Sequence, residues 1–480
     1  MVTMMNLYFF IPLIFALFLG VNVWFKKASL IRKTTNTVFL LEFIFSSVIL
    51  MFSSEINFSI FNLNFSPDKF SVVFIFLSSF AFLLFSIFSK KFILKMHRGF
   101  YAVLLLIFGI LNGIFLINNI FISLLGIFWI ILLFYFLSIS YSKKTSLKAI
   151  STQFFADLAW YLIGLFLIVK DFARYFVLND VVFSFENITK YLYKIDDSAV
   201  ILTFYGFLIL IGRMFNLIPF CTKNISQKYQ ITPFVYCLQN LIFLMLGGFL
   251  FGKCYLDFNY LFYQNQVVIA LFLLFNFVIY VFLALRQDKM FKFLNSIILA
   301  NLIISLFSIF SFEKECFGIY AYCIFGICIS YLLTASVFLF LEDTFKTDKF
   351  DELKIIDNNS KMCRFLVISS MLNVSSAPFL SIFSIELISF MMMFSTTYDV
   401  KILNYIPYLL VLGTFILVLS GFGVIYKILI EPIEKFETPI KFEAHQIIVF
   451  SSLLFAVLIL SVLPKFVSLE IGTKIIIGNF

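Results

Sequence analysis

Leu7–Phe25 and Ile447–Leu463 each run without a charge for about the 18 residues that cross a hydrocarbon layer, and similar runs recur between them. A chain of this kind has few ways to fold. In lipid every backbone N–H and C=O must be paired within the protein, which leaves helices or a closed barrel, and apolar runs of this length are helical. Composition excludes the alternative of a water-soluble globule: 62% of residues are hydrophobic and 13% charged, against about a quarter charged in a soluble domain. The chain reads as an all-α polytopic membrane protein with about fourteen transmembrane helices. The spans fall near 5–25, 36–54, 70–89, 99–117, 121–141, 149–169, 198–219, 232–252, 264–285, 292–311, 317–341, 364–395, 404–428 and 446–464. No soluble domain fits between them, so residues 1–480 form a single transmembrane bundle.

The formal charge of +9 is not a nucleic-acid footprint, because the basic residues sit in short loops between spans. Loops after odd-numbered spans carry Lys26, Lys27, Arg32 and Lys33, then Lys90, Lys91, Lys95 and Arg98, then Lys143, Lys144 and Lys148, then Arg286, Lys289 and Lys292. Loops after even-numbered spans are poor in positive charge or balanced by acids, as at Glu55, Asp68 and Lys69, or Glu313, Lys314 and Glu315. The excess of Lys and Arg on one side assigns that side to the matrix or cytoplasm and both termini to the other. Seven scattered cysteines and only His97 and His445 give neither a metal site nor a disulfide framework. The first span lacks a small-residue cleavage site and reads as a retained helix. The 72 phenylalanines, in excess over Leu and Ala with three Trp, fit an A/T-rich coding sequence such as an organelle genome.

Local motifs narrow the class. After span nine the chain reads Leu283-Ala284-Leu285-Arg286-Gln287, followed by Lys289 and Lys292 and a helix. Asn118-Asn119 precedes Leu125-Gly126-Ile127-Phe128-Trp129, with Tyr135 and Leu137 beyond. Pro219-Phe220, Thr232-Pro233 and Gly247-Gly248 punctuate spans seven and eight, and Pro378, Leu380, Phe383 and Glu386 recur at fixed spacing in span twelve. In this colinear order the segments resemble the antiporter-like proton-pumping subunits of respiratory complex I, subunit 2 above all. The resemblance covers roughly 100–395, and the span count extends it along the chain. It implies two inverted five-helix repeats, 98–252 and 253–395, with broken helices seven and twelve.

The resemblance also implies a row of ionisable groups: Glu in helix five, Lys in seven, Lys in eight, His in ten, and Lys or Glu in twelve. The helix-five Glu falls on Phe128. The helix-seven Lys falls on Met214, with Arg213 one residue earlier, about 100° around the helix. Arg213 is either a displaced replacement or a structural Arg paired to an acid or a broken-helix carbonyl. The helix-eight Lys falls on apolar Phe243 or Leu244, with Gln239 nearby. The helix-ten His falls on Asn301, which can hydrogen-bond but not titrate. Helix twelve keeps Glu386, eight residues after Pro378. Asp157, in the apolar span 150–169, is placed to partner Arg213, either in a proton path or as a structural pair. Glu42 in span two is a weaker candidate of the same kind, and Lys427 reads as a residue that snorkels to the aqueous edge. An ionisable side chain inside a membrane is a functional candidate by default. The proton-path candidates are Glu386, Arg213 and Asp157, with Asn301 after them.

The resemblance implies a core membrane-arm subunit of mitochondrial NADH:ubiquinone oxidoreductase, multi-pass in the inner membrane with both termini in the intermembrane space. Its expected role is proton translocation coupled to quinone reduction. No Rossmann fingerprint or iron–sulfur cysteine set is present, so FMN, iron–sulfur clusters and ubiquinone belong to other subunits, and no redox chemistry occurs in this chain. Expected partners are the other membrane-arm subunits of a hetero-oligomer and phospholipid such as cardiolipin, with no nucleic acid and no metal. Three alternatives stay open: subunit 4, for which Glu386 speaks; a non-pumping scaffold, for which Phe128 and Phe243 or Leu244 speak; and an independent cation/proton antiporter.

Overall fold

The computed structural model describes residues 2–21, 28–51, 58–60, 63–65, 69–88, 98–117, 119–140, 147–172, 197–217, 233–311, 316–353, 361–396, 401–429 and 442–462. Two compact units divide at Phe262 and Tyr263. The first contains α1 (Val2–Val21), α2 (Ala28–Met51), α3 (Lys69–Phe88), α4 (Arg98–Leu116), α5 (Ile120–Ser140), α6 (Leu147–Phe172), α7 (Asp197–Met214) and α8 (Pro233–Asp257), and the boundary lies within the short α9 (Asn259–Gln264). The second contains α10 (Gln266–Arg286), α11 (Met290–Phe307), α12 (Cys316–Phe345), α13 (Lys361–Val374), α14 (Ser381–Ser395), α15 (Ile406–Leu429) and α16 (Ala444–Val462). A three-residue antiparallel hairpin, Phe58–Ile60 with Leu63–Phe65, joins α2 to α3.

Eleven of these helices are long and apolar enough to cross a membrane, and three shorter apolar stretches lie at Phe10–Leu19, Val200–Met214 and Ser381–Ser395. Together they account for the fourteen spans read from the sequence. The differences lie at the breaks. Span seven stops being helical at Met214, and span twelve is two helices, α13 and α14, separated by Ser375–Leu380. Ile218–Thr232 lie outside the described residues, so nothing follows here for the far half of broken helix seven.

In the first unit α3, α4 and α8 form the interior, while α2 and α6 turn large apolar side chains such as Ile44, Phe155 and Phe166 outward. In the second, α11 and α12 are buried along nearly their whole length, and α10 and α15 present Phe275, Phe282, Leu412 and Phe415 at the rim. An apolar rim around a buried interior is what a lipid-facing bundle requires.

Helix α6 crosses α7 very closely, and glycine is the reason. A Cβ at Gly164 would stand 3.0 Å from the carbonyl oxygen of Gly206, and one at Gly206 would stand 2.9 Å from that of Gly164. Small residues of this kind let membrane helices approach backbone to backbone. Asp157 lies two turns before Gly164, and Arg213 two turns after Gly206, on antiparallel helices. The glycine contact therefore sets the spacing across which this acid and this base meet.

One end of the second unit is tied down by polar contacts outside the spans. Met290 N–H donates to Asp348 O (2.8 Å) and Phe350 N–H to Asp288 O (2.9 Å), zipping the loop after α10 to the loop after α12. Lys289 pairs with Asp348 at 2.9 Å. Lys427, expected to snorkel, does reach the edge of its helix, where it bridges Asp288 at 3.2 Å and Asp351 at 3.3 Å.

Candidate functional site

Helices α7 and α13 end in the same way. After α7, Leu217 N–H donates to Gly212 O (2.8 Å), Asn216 N–H donates to Arg213 O (3.0 Å), and Asn216 adopts φ 52°. After α13, Ala377 N–H donates to Leu372 O (2.9 Å), Ser376 N–H donates to Asn373 O (3.3 Å), and Ser376 adopts φ 62°. Both are Schellman turns, which normally place glycine at the left-handed position. Here that position carries a polar side chain, and in each unit it hydrogen-bonds a buried ionisable residue.

In the first unit the ionisable residue is Arg213, 2% exposed. Its Nη1 donates to Asn216 Oδ1 at 2.5 Å. Its Nε donates to Asp157 Oδ1 at 3.0 Å, and Nη2 closes a salt bridge to the same oxygen. The guanidinium carbon also lies 5.8 Å from the centre of the Phe243 ring, within cation–π range. The acid and base singled out on separate spans are thus brought together. Met214, the position the resemblance gives to Lys, is buried and apolar, and its Cβ lies beside Gly247 on α8. A guanidinium keeps its proton near neutral pH, so Arg213 is the fixed positive charge of this pair.

In the second unit the ionisable residue is Glu386, 3% exposed on the second turn of α14. Ser376 Oγ donates to its Oε1 at 2.5 Å across the break. Glu386 has no ion-pair partner among the described residues, unlike Arg213. Hydroxyls and amides surround the break instead. Ser381 Oγ donates to Asn373 Oδ1 at 3.0 Å and lies 2.9 Å from Ser330 Oγ, while Thr334 Oγ1 donates to Ser330 O at 3.0 Å. Asn301 Nδ2 donates to Val374 O at 2.8 Å, a helix–helix hydrogen bond to the last residue of α13. Asn301 Oδ1 and Asn373 Nδ2 are both buried with no partner among the described residues. Such groups mark hydrogen-bonding capacity around the α13–α14 break that the packing of the described residues does not use.

Phe128 is half-buried at 5.9 Å from the Tyr161 ring, Phe243 and Leu244 are buried, Phe243 beneath the Arg213 guanidinium, and Gln239 is half-buried. Asn216 and Ser376 were not read from the sequence as site residues. The signal was present: a short polar residue two or three positions before Pro219 and Pro378 is a helix-ending pattern, and Asn tolerates the left-handed conformation.

No protein-family model matches this sequence, and no curated protein matches it. Among solved structures 149 chains do match, so the likeness does not rest on one example. A chain of respiratory complex I from Thermus thermophilus with bound NADH superposes with TM-score 0.83 at 14% identity, covering 98% of each chain. A chain of the membrane-bound sulfane sulfur reductase, an archaeal respiratory membrane complex, superposes with TM-score 0.77 at 13% identity, covering 98% of this chain and 97% of that one. At such identities the likeness is one of fold. Apart from one short hairpin, the protein is a helical, multi-pass membrane chain with the antiporter-like fold found in respiratory complex I.

Proposed function

We propose that this chain is an antiporter-like membrane-arm subunit of NADH:ubiquinone oxidoreductase, of the subunit 2 type, and that it contributes to proton translocation coupled to quinone reduction. The observation that carries this reading is the paired design of two helix ends. Helices α7 and α13 each end within an apolar span at a Schellman turn, and each turn's polar residue holds a buried ionisable group, Arg213 with Asp157 in one unit and Glu386 in the other. Broken helices at membrane depth expose backbone groups and are tolerated where they serve an internal polar path. The equivalence of the two turns also supports two structural repeats near 98–252 and 253–395.

In this reading Glu386 loads and releases a proton with Ser376 as its hydrogen-bond partner, Asp157 and Arg213 form the charge pair of the first repeat, and Asn301 lines the path. Redox chemistry with NADH, FMN, iron–sulfur clusters and ubiquinone takes place in other subunits. The chain sits in the mitochondrial inner membrane with both termini in the intermembrane space, among other membrane-arm subunits and phospholipid such as cardiolipin. Subunit 4 remains the neighbouring assignment, favoured by an acid at 386.

A second reading has specific support. Phe128, Met214 and Phe243 put apolar side chains where the resemblance places charge, which favours a scaffold that keeps the bundle without conducting. Glu386→Gln separates the two. Proton translocation per NADH oxidised in the reconstituted complex should fall if Glu386 carries protons, whereas an unchanged ratio in a fully assembled complex leaves only the scaffold.

A further inference from the structure

Helices α2, α3 and α4 enclose a polar layer that the row of broken-helix residues does not include. Phe39 of α2 packs on Phe82 of α3 (5.6 Å) and Phe108 of α4 (5.1 Å), and Phe82 on Phe108 (5.0 Å). Phe43 of α2 packs on Phe80 and Phe76, so α2 and α3 are antiparallel. Ser78 meets Asn112 and Phe74 meets Phe115, so α3 and α4 are antiparallel too. One turn beyond the Phe39–Phe82–Phe108 triad, the three helices bring Glu42, Ser78 with Ser79, and Asn112 to the same level. All four are at most 1% exposed. One turn further, Phe74, Phe115 and Phe249 form a second aromatic layer, with centroids 5.5 Å, 4.9 Å and 5.7 Å apart.

Inside this layer Ser78 Oγ donates to Asn112 Oδ1 at 2.6 Å and Ser79 Oγ to Ile75 O at 2.8 Å. Both carboxyl oxygens of Glu42 are fully buried and have no hydrogen-bond partner among the described residues. Among the described residues no ion pair to Glu42 is formed, and the basic residues on the helices around it lie turns away in sequence. On α2 itself Arg32 and Lys33 are nine or ten residues away, roughly 14 Å along the axis. The helices packed against α2 carry Lys69 at the start of α3, a similar distance from Ser78, and Arg98 and Tyr101 near the start of α4; α1 carries no Asp, Glu, Lys, Arg or His. Lys253 of α8 lies 5.7 Å from the centre of the Phe249 ring, one turn farther along α8 than that ring and away from Ser78. An unpaired carboxylate in such a layer is the most costly state of this group, and a bound proton removes the cost. The Ser78 and Ser79 hydroxyls and the Asn112 carbonyl are already engaged with one another or with the backbone, whereas a metal cation needs about six oxygens turned toward it.

We propose that Glu42 is a proton-binding site of this chain, housed with Ser78, Ser79 and Asn112 in a polar layer between two phenylalanine layers. The site exchanges its proton through motions of those rings. It stands on the α2–α4 packing and does not depend on Glu386 or on coupling to quinone reduction. The test is infrared difference spectroscopy on the intact complex, comparing the wild type with Glu42→Gln in H2O and in D2O. The expected result is loss of one protonated-carboxyl C=O band in Glu42→Gln, and a down-shift of that band in the wild type on transfer to D2O. Glu42→Asp, which keeps the carboxyl, should move the band rather than remove it, and covers the case in which the Gln variant fails to assemble. A wild-type spectrum lacking this band would overturn the proposal, as would a band that D2O leaves unmoved or one that sodium displaces at constant pH. None of these outcomes bears on the Glu386 experiment.

Discussion

Asp157→Asn keeps the shape of the α6–α7 contact and deletes its negative charge. Arg213 then stays buried and charged, with Asn216 and the face of Phe243 as the remaining partners seen around it. Removing one member of a buried ion pair costs about 3–5 kcal/mol because the other charge is left uncompensated. The Phe243 ring offsets roughly 1–2 kcal/mol of this at most. The expected net loss is about 3 kcal/mol, or on the order of a hundred-fold in the unfolding equilibrium. Arg213→Met should be milder, since a carboxyl can neutralise itself by taking up a proton whereas a guanidinium cannot release one. The double variant should recover most of the loss, because exchanging a whole buried pair for neutral side chains is often near neutral. Unfolding of each purified variant in mixed micelles, run as a double-mutant cycle, should give a coupling of at least about 2 kcal/mol. Additive single effects, or an Asp157→Asn cost below about 1 kcal/mol, would refute the claim that the two charges hold each other in place.

Ser376→Gly should leave thermal stability near that of the wild type, because relief of φ 62°, about 1 kcal/mol, roughly offsets the lost hydroxyl. Ser376→Ala keeps the strain and should lower stability by about 1–3 kcal/mol. If Glu386 works through Ser376, both variants should lower the proton-to-NADH ratio in reconstituted complex. Gly247→Ala would put a Cβ 2.6 Å from the Phe215 ring and 3.1 Å from Met214 Cβ, forcing the terminal turn of α7 to shift at a cost of about 1–3 kcal/mol. Gly423→Ala meets nothing within 4 Å and should be stabilising by about 0.5–1 kcal/mol, which a melting comparison of the two would check. Outside the membrane, hydrogen bonds from Lys349 and then Thr347 hold the Glu352 carboxyl below its ordinary range, and Glu352 raises Lys349. That corner's contribution is therefore present at neutral pH, lost as pH falls through the lowered carboxyl value, and lost again as pH rises through the raised lysine value. Hydrogen exchange over 346–353 should quicken in Glu352→Gln at neutral pH and change little at acid pH.

The spans were legible because membrane solvation imposes one dominant pattern, a long apolar run, and the runs around 70–89, 99–117 and 121–141 match α3, α4 and α5 to within a residue at each end. Where a helix stops inside the membrane, hydropathy is silent. Span twelve reads as one run from 364 to 395, and only Pro378 marks the break that Ser375–Leu380 makes. The Asp157–Arg213 contact was legible as a pairing because two lone charges in apolar sequence have few other ways to be satisfied. What positions them was not. The Gly164–Gly206 approach depends on two helices facing each other, and single glycines in a membrane helix carry no sign of which neighbour they admit. Asn216 and Ser376 were missed for a related reason. Each acts through a backbone conformation, φ 52° and 62°; the polar residue ahead of a proline marks where a helix ends, but not which buried side chain the turn will hold.

The apolar residue at 243 also looks different once Arg213 is placed. Taken alone, apolar Phe243 or Leu244 where the resemblance puts a lysine reads as a missing charge. In the structure the Phe243 ring centre lies 5.8 Å from the guanidinium of Arg213. An ammonium at that distance would face a like charge within a buried region, where repulsion is weakly screened. The aromatic ring does the opposite, offering the negative face of its π-system to the cation. Arg213 and Phe243 are therefore compatible neighbours: with the cation carried by α7 and tied to Asp157 and Asn216, a neutral ring at the facing position on α8 avoids a buried like-charge contact. The first unit holds one buried cation on one buried acid, and its phenylalanine is part of what keeps that cation bound.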